Sequence, residues 1–205
     1  MKRFLTKAAL YENVTRKIKE SGFNISASSY RIDSISLAHE VCLELQIQNI
    51  DFEETKICGI LFRGDKSTTI ALNARRSHHG RNFDCMHELI HYWFHDEQSN
   101  FFCTQDDNRR LEWQANEGAA QFLMPYQNFI PNYHHHHQNF LKSFPPETAT
   151  DALITHLSKS YGVGGLAVQY RINSLSHEIE QYINGTCIND IEVLSRRALL
   201  QQESK

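Results

Sequence analysis

The sequence predicts an α+β domain: a small, mostly antiparallel sheet backed by one helix, with a second helix crossing it. Two observations carry this. Residues 56–73 hold two short apolar, β-branched runs separated by a polar turn, and the stretches 83–94 and 111–124 have the period of amphipathic helices. A chain of 205 residues can bury one sizeable core. The expected organisation is an N-terminal helix and linker over 1–29, the main domain over 30–180, and a C-terminal helix over 181–205.

Met1 to Ser21 is lysine-rich, with Phe4, Leu5, Ala8, Leu10, Tyr11, Val14 and Ile18 at helical spacing, so it reads as an amphipathic helix packed on the domain. It lacks the unbroken apolar core of a signal peptide, and no run reaches membrane-spanning length. Leu37, Val41, Leu45 and Gln48 suggest a second helix over Ile35–Gln48. Lys56–Phe62 and Thr68–Asn73 then form a hairpin around Arg63-Gly64-Asp65-Lys66-Ser67. An adhesion role for that Arg-Gly-Asp is rejected, because turns favour those residues anyway. One hairpin strand is expected to offer its edge to an extended peptide. Arg75–Arg81 reads as a solvated loop, and an acidic substrate segment is its alternative partner.

Phe83–Phe94 contains His87-Glu88-Leu89-Ile90-His91. Positions i and i+4 share one side of a helix, so both imidazoles can reach one metal ion, with Glu88 beside a water on it. With His87 at zero, Phe94, Phe83, Ile90, Met86 and Trp93 fill an arc of about −20° to −120°. The histidines therefore border an apolar face, where unsatisfied imidazoles would be costly. Zinc suits this arrangement, since a catalytic zinc takes three protein ligands and keeps a position for water, whose proton a nearby carboxylate can accept.

Leu111–Met124, stopped by Pro125, offers the third ligand. Glu112 lies in the middle of an apolar face with Leu111, Ala115, Ala119, Phe122 and Leu123, where a buried carboxylate needs a cation. Pairing of Glu112 with Arg109 alone is the plainer alternative. Asn116, one turn on, is placed to bond the outer nitrogen of a ligand imidazole. Glu117 falls with Gln114 and Gln121 on the polar side and reads as solvated.

With these residues quoted, His87-Glu88-Leu89-Ile90-His91-Tyr92 followed by Glu112-x-x-Ala115-Asn116-x-x-Ala119-Ala120-x-Phe122-Leu123-Met124-Pro125 resembles the ImmA/IrrE family of zinc metallopeptidases. The resemblance extends from Ile70–Asn73 to Tyr161-Gly162-Val163 and Arg171-Ile172. It implies a zincin-like fold in which His87, His91 and Glu112 bind zinc and Glu88 is the catalytic base. It also implies a regulatory endopeptidase acting on a repressor of a mobile element or stress response. Gly118 departs from the family, which commonly has an aromatic at that position.

His95–Arg110 is expected to be a polar loop over the rim of the site. His134–His137 is expected to be a loop too, because consecutive residues cannot all point one way, and a weak metal site is its alternative. One of His134–His137, His95 or Tyr92 is the candidate group for steadying the reaction intermediate. Asp151–Leu175 reads helix, turn, helix. Arg171 is the lone Lys or Arg from Leu166 to Leu175, so two packed helices are favoured over a DNA reader. A last helix is expected near Ile188–Gln202.

The net charge of −3 and pI near 6.4 give no electrostatic case for nucleic acid. Five scattered cysteines without a Cys-x-x-Cys pair suit a reducing cytoplasm. The residues thus point to a zinc peptidase with a protein substrate, a transcriptional repressor by resemblance. The alternative is a non-catalytic anti-repressor or interaction module with a structural zinc.

Overall fold

The computed structural model describes residues 5–41, 45–53, 57–64, 67–95 and 106–203. Among them lie nine helices and three strands in two compact units whose segments interleave along the chain.

The first unit comprises Arg31–Leu123 and Gly162–Gly164. Its helices are α2 (Ser34–Val41), α3 (His78–Phe94) and α4 (Asp106–Leu123). Its strands are β1 (Leu45–Ile50), β2 (Gly59–Arg63) and β3 (Thr68–Asn73). The sheet order is β1-β3-β2, so β3 is central, and its residues Ile70, Ala71, Leu72 and Asn73 are buried. The expected hairpin is present as the antiparallel pair β2–β3, with Leu61 opposite Ile70. Asp65, Lys66 and Lys56 lie outside the described residues.

The expected helix over Ile35–Gln48 is corrected. The described helix is Ser34–Val41, and Leu45–Ile50 pairs in parallel with β3, which makes the sheet mixed. Leu45-Gln46-Ile47-Gln48 alternates apolar and polar, a period of two that the spacing of Leu37, Val41 and Leu45 conceals.

The α3 helix starts where Ser77 Oγ accepts the Gly80 N–H, so part of the expected solvated loop is helical. Its arginines are engaged within the unit: Arg75 pairs with Asp51, Arg76 with Asp84, and Arg81 donates to Asn49. Asn82 is buried and ties three segments together, donating to the Ile32 and Gly162 carbonyls and accepting the Ser34 N–H. At the other end of α3, Arg63 Nη2 donates to the carbonyls of His91, Tyr92 and His95 at 3.0–3.2 Å. A cation there complements the negative end of the helix dipole and joins β2 to α3.

Of the expected rim loop over His95–Arg110, residues 106–110 belong to α4, and residues 96–105 lie outside the described residues. Glu117 also departs from expectation, being 1% exposed, with Gln114 and Gln121 likewise buried. The helical wheel assumed one wet side, whereas residues 114–125 of the chain are buried at every position except Asn116. Gly118 is explained by close approach: a Cβ there would meet Ile90 Cγ2 at 3.0 Å. An aromatic of the family kind has no room while Ile90 is present.

The second unit comprises Met1–Tyr30, Met124–Tyr161 and Gly165–Lys205. It holds α1 (Lys7–Glu20), α5 (Tyr126–Ser143), α6 (Pro146–Tyr161), α7 (Gly165–Ser174), α8 (Ser176–Ile183) and α9 (Arg196–Glu203). The α1 helix packs as expected, burying Leu10, Tyr11, Val14 and Ile18. Lys7 Nζ lies 2.8 Å from Glu178 Oε1 in the interior, and Arg171, fully buried, donates to the Met124 carbonyl and to the Tyr11 hydroxyl. The helix–turn–helix outline over 151–175 is present as packed α6 and α7. The last helix begins later than expected, because the Gln181 amide bonds both the N–H and the carbonyl of Glu192 and holds that stretch out of helical form.

The expected loop at His134–His137 is a further correction, since these residues lie within α5. Phe129, Tyr133 and His137 stack one turn apart at 6.3 and 5.4 Å with nearly parallel rings, an i,i+4 ladder that supports the helix. The four histidines diverge as helical geometry requires. His134 meets Tyr182, His135 contacts Asn139, His136 meets His156, and His137 stacks on Tyr133.

A candidate metal centre between two helices

The centre lies entirely within the first unit. The α3 and α4 helices pack against each other, and small Ala115, Gly118 and Ala119 let them approach closely. Across that contact, His87 Nε2 and His91 Nε2 are 3.1 Å apart. Glu112 reaches them with Oε2 at 3.2 Å from His87 and Oε1 at 3.3 Å from His91. Among the described residues these three form a group able to hold a metal ion. Donors held about 2.0–2.2 Å from one zinc at roughly tetrahedral angles stand slightly over 3 Å apart, so the donor set fits that ion.

Each imidazole is oriented from behind. Asn116 Oδ1 lies 3.1 Å from His87 Nδ1, as its place one turn after Glu112 led us to expect. When Nδ1–H donates to that oxygen, the lone pair of His87 is on Nε2, facing the centre. The second imidazole is set by a chain that sequence reasoning missed. His91 Nδ1 lies 2.8 Å from His95 Nδ1, and His95 Nε2 lies 3.1 Å from Gln114 Oε1. The Gln114 oxygen accepts the His95 Nε2 proton, so His95 Nδ1 accepts from His91 Nδ1–H and His91 Nε2 again carries the lone pair. Burial and neighbouring His91 push His95 down to about 4, which keeps it neutral and fit for this relay. The signal for His95 was its position a turn beyond His91, making a ladder of i,i+4 histidines; nothing in the sequence marked Gln114.

His95 was also a candidate for steadying the reaction intermediate. Both its ring nitrogens are engaged by His91 and Gln114, so it orients His91 instead. Tyr92 lies beneath the Arg63 guanidinium at 5.4 Å, and His134–His137 belong to the other unit.

Glu88 is 7% exposed. Burial pushes its carboxyl up to about 7; Glu112 and Asp84 add to the rise, while His87 and the Leu61 N–H oppose it. The Glu112 carboxyl, in contrast, is driven well below its ordinary range: burial opposes this, but the two imidazoles of His87 and His91 beside it prevail. Two carboxylates in one site thus favour different protonation states.

The placement of Glu88 depends on β2. Asn73 N–H donates to the Cys58 carbonyl and Gly64 N–H to the Ser67 carbonyl, so the hydrogen-bonded pairs of β2–β3 fall at 58, 60, 62 and 64. The backbone groups of Gly59, Leu61 and Arg63 therefore face away from β3, along the outer edge of the sheet. The Leu61 N–H is close enough to the Glu88 carboxyl to hold back the rise in its proton affinity. A Cβ on Gly59 would come within 3.0 Å of Glu88 Oε1, so a glycine there admits the carboxylate.

Comparisons with known proteins agree with this construction. The sequence profile of the peptidase family described as the IrrE N-terminal-like domain matches residues 41–173. No curated protein matches the chain. Among solved structures, a Mycobacterium tuberculosis transcriptional regulator superposes with a TM-score of 0.56 at 18% identity. The match covers 81% of this chain and 47% of that one, so the present chain spans about half its length. At that identity the likeness shows the fold, an α+β zincin-like arrangement. With two thirds of its length matched by one family, and that family's helix pair in place, the chain belongs to the peptidases of the IrrE N-terminal-like domain family.

Proposed function

We propose that the protein is a zinc-dependent endopeptidase whose substrate is a regulatory protein, a transcriptional repressor in the first instance. The observation that carries this is the convergence of His87 Nε2, His91 Nε2 and the Glu112 carboxylate to 3.1–3.3 Å, with the Glu88 carboxyl poised nearby. Zinc held by these three residues would polarise a water molecule and the scissile carbonyl.

The residues of the chain do the rest. Glu88, with an affinity for protons close to neutrality, takes one from the attacking water and returns it to the departing amine nitrogen. The cleft beside Gly59 admits that carboxylate. The outer edge of β2, not β1, is the strand edge beside this carboxylate, so an extended substrate adds there, using outward backbone groups of Gly59, Leu61 and Arg63. Family membership and the likeness to a transcriptional regulator support a regulatory substrate. The cysteines among the described residues, Cys58, Cys85 and Cys187, are free, in accord with a reducing cytoplasm, and no helix among the described residues is long and apolar enough to cross a membrane.

Glu88→Gln tests the reading. Zinc content should stay unchanged, while cleavage of candidate repressors falls by about 100- to 10,000-fold, the usual contribution of a general base. Retained cleavage overturns the assignment. Undiminished anti-repressor activity without cleavage would instead favour an interaction module in which the metal only holds α3 to α4.

A further inference from the structure

Outside the centre just described, one other place among the described residues brings two imidazole nitrogens together. His136 on α5 and His156 on α6 face each other, with ring centroids 4.0 Å apart and planes tilted by 45°. Their Nε2 atoms are 3.2 Å apart, close to the 3.1 Å that separates His87 Nε2 from His91 Nε2. We propose that His136 and His156 form a second metal site, a two-histidine clip that takes a late first-row divalent ion such as Zn²⁺, Ni²⁺ or Cu²⁺ and cross-links α5 to α6.

The separation is what two imidazoles need to share one ion. Bonds of about 2.0–2.1 Å meeting at roughly 100° put the two nitrogens slightly over 3 Å apart. Imidazole is the donor these ions favour, and magnesium and calcium, which want oxygen, are excluded. The rings also have little freedom to turn apart. Phe140 lies against both, its ring centroid 6.3 Å from that of His136 and 5.8 Å from that of His156, and α5 packs against α6. Burial, together with neighbouring His156 and His135, lowers the pKa of His136, so that ring is neutral near pH 7 and has a lone pair to give.

The competing occupant of the gap is a proton, one Nε2–H donating to the other Nε2. An ion replaces it once that proton has moved to Nδ1 of its own ring, so binding near neutral pH releases no net proton. With two protein donors and water completing the shell, the clip binds more weakly than the three-donor centre. It is also distinct from a run of tag-like histidines, because its two ligands come from different helices 20 positions apart.

The test titrates the full-length, metal-stripped protein with Zn²⁺ and separately with Ni²⁺, reading stoichiometry by calorimetry and stability by thermal melting. The wild type should bind two ions per chain in two affinity classes. His156→Gln and His136→Gln should each lose the weaker class alone and lose the part of the nickel-induced rise in melting temperature that accompanies it. Glu112→Ala should lose only the tighter class. One ion per chain in the wild type overturns the proposal. So does a weaker class that survives both histidine substitutions, which would assign it to His134, His135 and His137. Both histidines are partly exposed, and His136→Asn provides a second variant should the first fold poorly.

Discussion

Each of the two compact units keeps ionisable groups in its interior, and the two interiors are built on opposite plans. In the helical unit the groups answer one another: Lys7 Nζ reaches Glu178 Oε1 and the Ser174 carbonyl, Leu194 N–H adds a bond to the same oxygen, and Arg171 serves the Met124 carbonyl and the Tyr11 hydroxyl. Donors and acceptors of opposite sign meet in pairs. In the α3–α4 unit, by contrast, Asn116 and the His95–Gln114 chain turn two imidazole lone pairs toward a third acceptor, Glu112. Acceptors aimed at acceptors make no sense as packing and good sense as ligands. The difference teaches that burial alone does not mark a site; the sign of what faces what does.

The widest test of this contrast is stability. Lys7→Met leaves Glu178 buried without its cation and should cost about 3–5 kcal/mol, read as a lowered urea midpoint. Lys7→Met with Glu178→Leu should recover most of that loss, because an apolar pair can replace a buried ion pair. Glu112→Gln should behave in the opposite manner. In chelator its unfolding free energy should stay within about 1 kcal/mol of wild type, while zinc at concentrations that fill only the tighter site no longer stabilises it. Zinc at about 100 times its dissociation constant should stabilise the wild type by about 2.7 kcal/mol. A Glu112→Gln protein that unfolds in chelator as readily as Lys7→Met would erase the distinction.

Smaller effects sharpen the picture of the metal centre. Gln114→Ala removes the acceptor that orients His95 and through it His91, and should weaken zinc binding about 10- to 100-fold in competition with a chromophoric chelator. Unchanged affinity would dismiss the relay.

Much of the centre was legible beforehand because it is written in helical periodicity. His87, His91, Glu112 and Asn116 each follow from spacing on an amphipathic helix, and all four converge. What escaped is what periodicity cannot see. Glu117 and Gln121 were assigned to water by a wheel that assumes one buried face, and α4 has almost none exposed beyond Gln114. Leu45–Ile50 was merged with a helix because its parallel partner, β3, lies more than 20 residues away. His134–His137 looked like a loop from composition, and the i,i+4 stacking of Phe129, Tyr133 and His137 shows why it is not.

The smallest expected effect concerns Gly118. Gly118→Ala gains up to about 1 kcal/mol of helix propensity but presses on Ile90 at 3.0 Å, so the net change should lie near zero. Paired with Ile90→Val, the same substitution should become stabilising, and a double-mutant cycle measures the coupling.

The bare backbone at Gly59 has a mechanical meaning. Any side chain there would press on Glu88 Oε1 from 3.0 Å and lever the carboxyl out of the dry pocket that lifts its proton affinity to about 7. The sheet thus sets the acidity of a helical side chain by leaving a gap, and a single methyl group is enough to retune it.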